Sequence, residues 1–164
     1  LRYRSWPIDS EASMSNPLTL GWREWVSLPD LHIGAVKAKI DTGARTSTLH
    51  AFYTEYFARN NVTWVRFGVH PQQGSVDQVV HCEAPVVDTR EVTDSGGHRE
   101  ARPVITTTLM LAGLPRKIEM TLTDRDSMLF RMLIGRTAIR SGIVVSPGES
   151  FKLGGNREQP PELL

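Results

Sequence analysis

The chain has 164 residues, 40% of them hydrophobic, with 19 Lys and Arg against 18 Asp and Glu for a formal net charge of +1. That length and apolar content suit one domain with an ordinary core. The interspersed charges give no polyelectrolyte face for nucleic acid or a membrane surface, the one cysteine, Cys82, excludes an internal disulfide, and no apolar run is long enough for a membrane span or a signal-peptide core.

In chain order, Leu1 to Ser13 lack periodicity, and Met14-Ser15-Asn16-Pro17 reads as a natural start. The expected organisation is therefore an N-terminal extension over 1–16, a folded domain over 17–154, and a Pro-rich flexible tail over 155–164. Leu18 to Leu28 and the alternating run ending at Asp41 read as a hairpin around Pro29-Asp30 and Gly34. Ser47 to Phe52 reads as extended, Thr54 to Asn60 as a short helical turn stopped by Asn60-Asn61, and Val62 to Val69 as strand again. His70 to Asp77, rich in Pro, Gln and Gly, reads as a surface loop, followed by extended structure from Val79 to Val87. Asp94-Ser95-Gly96-Gly97 is a strong turn signal between two long arms, Val86–Thr93 and His98–Leu111. A second turn at Ala112-Gly113-Leu114-Pro115 leads into the period-two run Lys117–Thr123. Met128 to Ile134 reads as strand, Gly135 to Ile139 as the start of a short helix, and Gly142–Val145 with Phe151–Leu153 as closing strands. The expected class is all-β with one short helix.

Within this pattern Asp41 stands out. The run Lys37-Ala38-Lys39-Ile40-Asp41 delivers a carboxylate at a strand end, and Thr42-Gly43-Ala44 then turn sharply. A carboxylate placed there needs a structural partner or a chemical task. An ordinary turn in which Asp41 caps backbone amides satisfies the same residues.

Asp41-Thr42-Gly43-Ala44 after a strand, with Met132-Leu133-Ile134-Gly135-Arg136 far downstream, resembles the paired signatures of retropepsin-like aspartic peptidases. Gly21-Trp22-Arg23-Glu24-Trp25-Val26, Lys37 through Ala51 and Trp64-Val65-Arg66-Phe67 extend the resemblance to the bacterial family labelled "ATP-dependent zinc protease", found alongside RimK-type glutamate ligases that modify a ribosomal protein. The resemblance implies a closed acid-protease barrel active as a homodimer. One chain carries one Asp-Thr-Gly, whereas the chemistry uses two carboxylates sharing a proton, so Asp41 would meet its symmetry mate on a two-fold axis. Thr42 would tie the two active loops together, and Gly43 would let the backbone approach closely. The Ile134-Gly135 segment would pack behind the active loop. The hairpin tip with Gly96 and Gly97 would serve as a flap, and Ala44, Arg45 and Arg136 would line the substrate site. Viral members carry an acid where Arg45 stands, pairing with the arginine after Ile-Gly. Here Arg45 and Arg136 are like charges, so Arg136 is expected to find another carboxylate or face the cleft, and Arg45 either to meet acidic substrate side chains or to pair with Glu55 or Asp88.

The resemblance therefore implies an endopeptidase of the aspartic type with no cofactor, favouring acidic or glutamylated peptides or proteins. Its partners would be a second copy, a glutamate-ligase system and its ribosomal-protein target, in the cytoplasm, or in the periplasm if a signal preceding Leu1 has been removed. Two other readings stand beside it. A zinc peptidase, as the family label says, would need ligands that the scattered His32, His50, His70, His81 and His98 do not supply at zinc-site spacing, and no phosphate-cradling glycine loop for ATP is present. A noncatalytic peptide-binding domain would use the same cleft without its chemistry.

Overall fold

The computed structural model describes residues 16–124, 129–140 and 142–164, so the extension expected over 1–16 lies, apart from Asn16, outside the described residues. In chain order the strands are β1 (Leu18–Gly21), β2 (Arg23–Leu28), β3 (Ile33–Asp41), β4 (Ser47–His50), β5 (Tyr53–Arg59) and β6 (Val62–Val69), then β7 (Val80–Pro85), β8 (Asp88–Thr93), β9 (Arg99–Leu111), β10 (Leu114–Thr123), β11 (Met132–Gly135) and β12 (Ile143–Ser146). The helical pieces among the described residues are two 3-10 turns, Pro29–Leu31 and Arg136–Ala138, so the short helix expected after Gly135 is a single tight turn.

The main sheet has the order β10-β4-β11-β3-β2-β9-β8, and β9 also pairs with β10, so the pairings from β10 round to β9 run in a ring with β8 attached outside. Inside lies an apolar core that includes Val36, Ala38 and Ile40 of β3, Leu109 and Leu111 of β9, Met120 and Leu122 of β10, and Met132 and Ile134 of β11. The period-two pattern of these strands produces the arrangement, because alternate residues face inward. β5, β6 and β7 form a separate three-stranded sheet, and its Val65, Phe67 and Cys82 join the same core. β1 and β12 pair in parallel.

Two expectations are corrected. The helical turn expected over Thr54 to Asn60 is strand as far as Arg59. Asn60 and Asn61 have φ of 51° and 61°, the two consecutive left-handed residues of a hairpin turn, and they fold β5 back on β6 with Tyr56 opposite Val65. Phe151–Leu153 is no strand: Phe151 has φ of 54°, and the amides of Lys152 and Leu153 donate to the Glu24 carboxylate at 2.8 and 3.2 Å. Residues 155–164, read from the sequence as a flexible tail, carry contacts to the outer face of β2 and β3, where Trp25 Nε1 donates to the Asn156 carbonyl at 2.7 Å and Lys37 Nζ to the Arg157 carbonyl at 2.6 Å.

Candidate active site

Asp41 is the last residue of β3, and its neighbour across the parallel pairing is Gly135, the last residue of β11. Both strands thus end at the same level, and the loop after Asp41 folds over the end of β11. The Arg136 amide donates to the Ala44 carbonyl at 2.8 Å, the Thr137 hydroxyl to the Arg45 carbonyl at 2.7 Å, and the Gly135 amide to Ser47 Oγ at 3.1 Å. A Cβ on Gly135 would lie 2.6 Å from the carbonyl carbon of Thr46 and 2.9 Å from the Arg45 oxygen and the Ser47 nitrogen, so the loop backbone rests directly on the glycine. Ile134-Gly135 therefore does pack behind the active loop.

Asp41 itself is half-buried. Its Oδ1 accepts the amides of Gly43 at 3.1 Å and Ala44 at 3.2 Å, while Oδ2 has no hydrogen-bond partner among the described residues. The capping geometry that an ordinary turn would have is thus present, but it occupies one oxygen. A Cβ on Gly43 would come within 3.3 Å of Asp41 Oδ1, so glycine there keeps the carboxylate uncrowded.

The carboxylate opens into a cleft of about 570 Å³, walled on one side by Asp41, Gly43, Ala44 and Arg45 and on the other by residues 90–95 of the β8–β9 hairpin. The hairpin tip is built as its sequence requires. Asp94 Oδ1 accepts the amides of Gly96 at 2.8 Å and His98 at 2.9 Å, and Gly97 takes φ of 81°. The cleft wall near the tip is Asp94 and Ser95, while Gly96 and Gly97 form the tip itself and do not line the cleft. Thr42 is exposed.

Arg136 pairs with no carboxylate among the described residues and does not line the cleft; its Nη1 donates to the Gly43 carbonyl at 3.2 Å, bracing the loop after Asp41 from behind. The carbonyl lies within reach because Gly135 brings the loop so close. Arg45 lines the cleft and makes no ion pair among the described residues; Glu55 and Asp88, the alternatives for it, are engaged by Arg66 and Arg90.

Two cleft residues had no place in the sequence reading. Arg90 on β8 ties the hairpin to the body, with Nε on Asp88 at 3.0 Å, Nη2 on Glu119 at 2.7 Å and Nη1 on Thr46 at 3.3 Å, and the Glu119 hydrogen bond above all holds its proton more tightly than usual. Arg102, directly opposite on β9, is buried and ion-paired with Glu100. The alternation of β8, in which Arg90 and Val92 turn inward, was the available signal. Beyond Arg45, Thr46 and Arg90 lies a groove of about 500 Å³ that adds Arg116, Lys117 and Arg140, with Glu119 the one acid among its described residues. The Arg116 Nε is buried there without a hydrogen-bond partner. Among the described residues no three His, Cys, Asp or Glu side chains converge as metal ligands; His81 bonds Tyr53 at 2.7 Å and Cys82 is buried in the core.

Residues 19–153 match the family model described as RimB-like, retropepsin-like aspartic endopeptidase RimB. The chain belongs to this RimB-like family. It is 44% identical over 149 residues to a protein of Shewanella pealeana named probable alpha-L-glutamate ligase, and 41% identical over 151 residues to one of the same name from Parasynechococcus marenigrum. The matches cover 91% and 92% of this chain but 32% of each relative, so the chain spans about a third of those proteins. Among solved structures it is similar to a Legionella pneumophila protein of unknown function, with a TM-score of 0.71 and 26% identity over 84% of this chain and 98% of that one.

Proposed function

We propose that this chain is an aspartic-type endopeptidase whose catalytic unit is a homodimer of closed acid-protease barrels, with Asp41 of each copy forming the dyad. The observation that carries the reading is the placement of Asp41: a carboxylate held through one oxygen by two backbone amides, at the end of a strand locked against Gly135, facing a cleft under a hairpin. In such a dyad the two carboxylates share one proton, because like charges about 3 Å apart do not both ionise. The ionised one takes a proton from water as the oxygen attacks the peptide carbonyl. The other gives its proton to the carbonyl oxygen, and collapse of the tetrahedral adduct returns a proton to the leaving amine. Thr42, exposed in the single chain, is then the link between the two loops. The β8–β9 hairpin, with Gly96 and Gly97 at its tip, is the flap, and it excludes water from the reacting bond.

Acidic or glutamylated peptides are the substrate class this site favours. Arg45 has no counter-charge among the described residues, and the groove beyond it adds further cations to one side of the cleft. Guanidinium groups bind carboxylates in charge-assisted, often bidentate pairs. A glutamate-ligase system is the proposed partner, because the chain resembles about a third of proteins named probable alpha-L-glutamate ligase; a ribosomal-protein target and the cytoplasm belong to the same proposal.

The test has two parts. Asp41→Asn keeps the fold and loses peptidase activity, with chelators leaving the wild type unaffected. Activity that survives the substitution but vanishes with a chelator and returns with zinc overturns the reading. On a peptide library, Asp and Glu are enriched beside the cut and Arg45→Glu reverses that preference; identical profiles for the two proteins refute the acidic specificity. Binding of peptides without cleavage at any dimer concentration would leave the noncatalytic domain as the function.

A further inference from the structure

A second cavity, of about 550 Å³, lies away from Asp41, and its walls include Trp22, Arg23, Lys37, Phe130, Arg157 and Glu158. Lys37 is its unusual member. Its side chain lies on the outward face of β3, and the 155–164 segment covers it, leaving the residue 7% exposed. An ammonium has three protons to donate. One goes to the Arg157 carbonyl at 2.6 Å, and the Trp25 ring lies 5.6 Å from the nitrogen. No carboxylate stands at ion-pair distance among the described residues.

The neighbouring charges worsen the position. Burial, then the positive charges of Arg23 and Arg157, hold the Lys37 proton less tightly than usual, and Glu158 opposes them more weakly. Arg23 is fixed rather than free to swing away. Its guanidinium carbon lies 4.6 Å from the centre of the Trp22 ring and 4.9 Å from that of Phe151, and its Nε donates to Ser150 at 3.1 Å, leaving both terminal nitrogens without a hydrogen-bond partner among the described residues. Among the described residues, three cations and one acid therefore line a cavity of metabolite size, and one cation is buried without a counter-ion. Such a charge is costly unless an anion joins it. The remaining wall sets the amides of Gln72 and Gln73 beside an aromatic couple, Trp22 and Phe130, packed edge to face at 5.7 Å.

We propose that this cavity is a binding site for a small organic anion, whose carboxylate or phosphate lies between Lys37, Arg23 and Arg157 and whose body packs against Trp22 and Phe130. A planar guanidinium beside a point-charge ammonium is a suitable pair of donors for an oxyanion, and a cavity of this size, part apolar and part polar, is typical of small-molecule sites. The site is separate from the cleft and does not depend on the peptidase reading.

The experiment uses the full chain, with inorganic phosphate, citrate and AMP titrated calorimetrically into wild type, Lys37→Met, Arg157→Gln, Arg140→Gln and Asp41→Asn. At about 10 mM probe even a site with a millimolar Kd is nine-tenths filled. At least one probe is expected to bind the wild type, to bind Lys37→Met and Arg157→Gln at least about tenfold more weakly, and to bind Arg140→Gln and Asp41→Asn as it binds the wild type. Phosphate binding as well as AMP would point to the oxyanion alone, and citrate in preference to both would point to a carboxylate ligand. If Lys37→Met fails to fold, the exposed Arg157→Gln carries the comparison. Absence of binding by all three probes overturns the proposal, as does a loss of binding in Arg140→Gln with none in Arg157→Gln, which would place the anion in the groove beside the cleft.

Discussion

Gly135→Ala tests the coupling between the two motifs, because it adds one methyl where the active loop rests. That methyl would sit 2.6 Å from the Thr46 carbonyl carbon, 2.9 Å from the Arg45 oxygen and 2.9 Å from the Ser47 nitrogen. These are backbone atoms of the loop following Asp41, so no side chain can swing aside, and ordinary van der Waals contact requires the loop to retreat by roughly 1 Å. Over-packing of this kind costs about 1–3 kcal/mol. Retreat also strains the hydrogen bonds from the Arg136 amide to Ala44 and from the Thr137 hydroxyl to Arg45 that position the loop. A displacement of that size at catalytic groups can lower a rate by about a hundredfold. Urea unfolding should show the midpoint falling with an unchanged slope, and kcat should fall far more than the destabilisation alone explains at temperatures where the variant is folded. Wild-type stability together with wild-type turnover in Gly135→Ala would refute the reasoning, since the loop would then not depend on Gly135 for its position.

Glu24 is fully buried and accepts the amides of Gly21, Lys152 and Leu153, so Glu24→Ala leaves three donors without an acceptor and should cost several kcal/mol, on the order of 1–3 for each unless water enters, as read by urea unfolding. Glu83 is held below its ordinary value of 4.5 by hydrogen bonds from Arg66 and then Arg59, so its contribution is present above the unfolded carboxylate pKa and is lost as pH falls through the lower folded value. Glu83→Gln should therefore be less stable than wild type at neutral pH and converge with it in acid, as thermal unfolding across pH will show. Burial pushes the Cys82 thiol up to about 11, so native protein at mildly alkaline pH should resist iodoacetamide while urea-unfolded protein reacts at the rate of a free cysteine, as mass spectrometry will report.

What could be read from the chain was what local pattern controls. Period-two alternation announced the strand entering Asp41 and the run Lys117–Thr123, and Asp94-Ser95-Gly96-Gly97 announced a hairpin tip whose amides fold onto the Asp94 carboxylate. The Asp-Thr-Gly and Ile-Gly segments are 93 residues apart between Gly43 and Arg136, yet their family pattern placed one behind the other. The Thr54–Asn60 error arose because Asn60-Asn61 serves equally as a helix stop and as a left-handed hairpin turn, and only pairing with β6 decides between them. Arg136 was misjudged because its partner is a backbone carbonyl, which no residue type reveals. The contacts of residues 155–164 were invisible for a related reason: carbonyls of Asn156 and Arg157 accept from Trp25 and Lys37, and a polar, Pro-rich composition carries no sign of that. Arg90 and Arg102 gained their places from strand pairing, which brings β8 over the cleft.

The central claim is that catalysis needs Asp41 from two copies of the chain. The measurement that tests it most directly is peptidase activity in mixtures of wild type and Asp41→Asn at constant total concentration, after the subunits have exchanged to equilibrium. Were the active unit a dyad drawn from two chains, mixed dimers would be dead, and activity would follow the square of the wild-type fraction. Activity in direct proportion to that fraction, with subunit exchange verified, would show that a single chain is sufficient and would contradict the account.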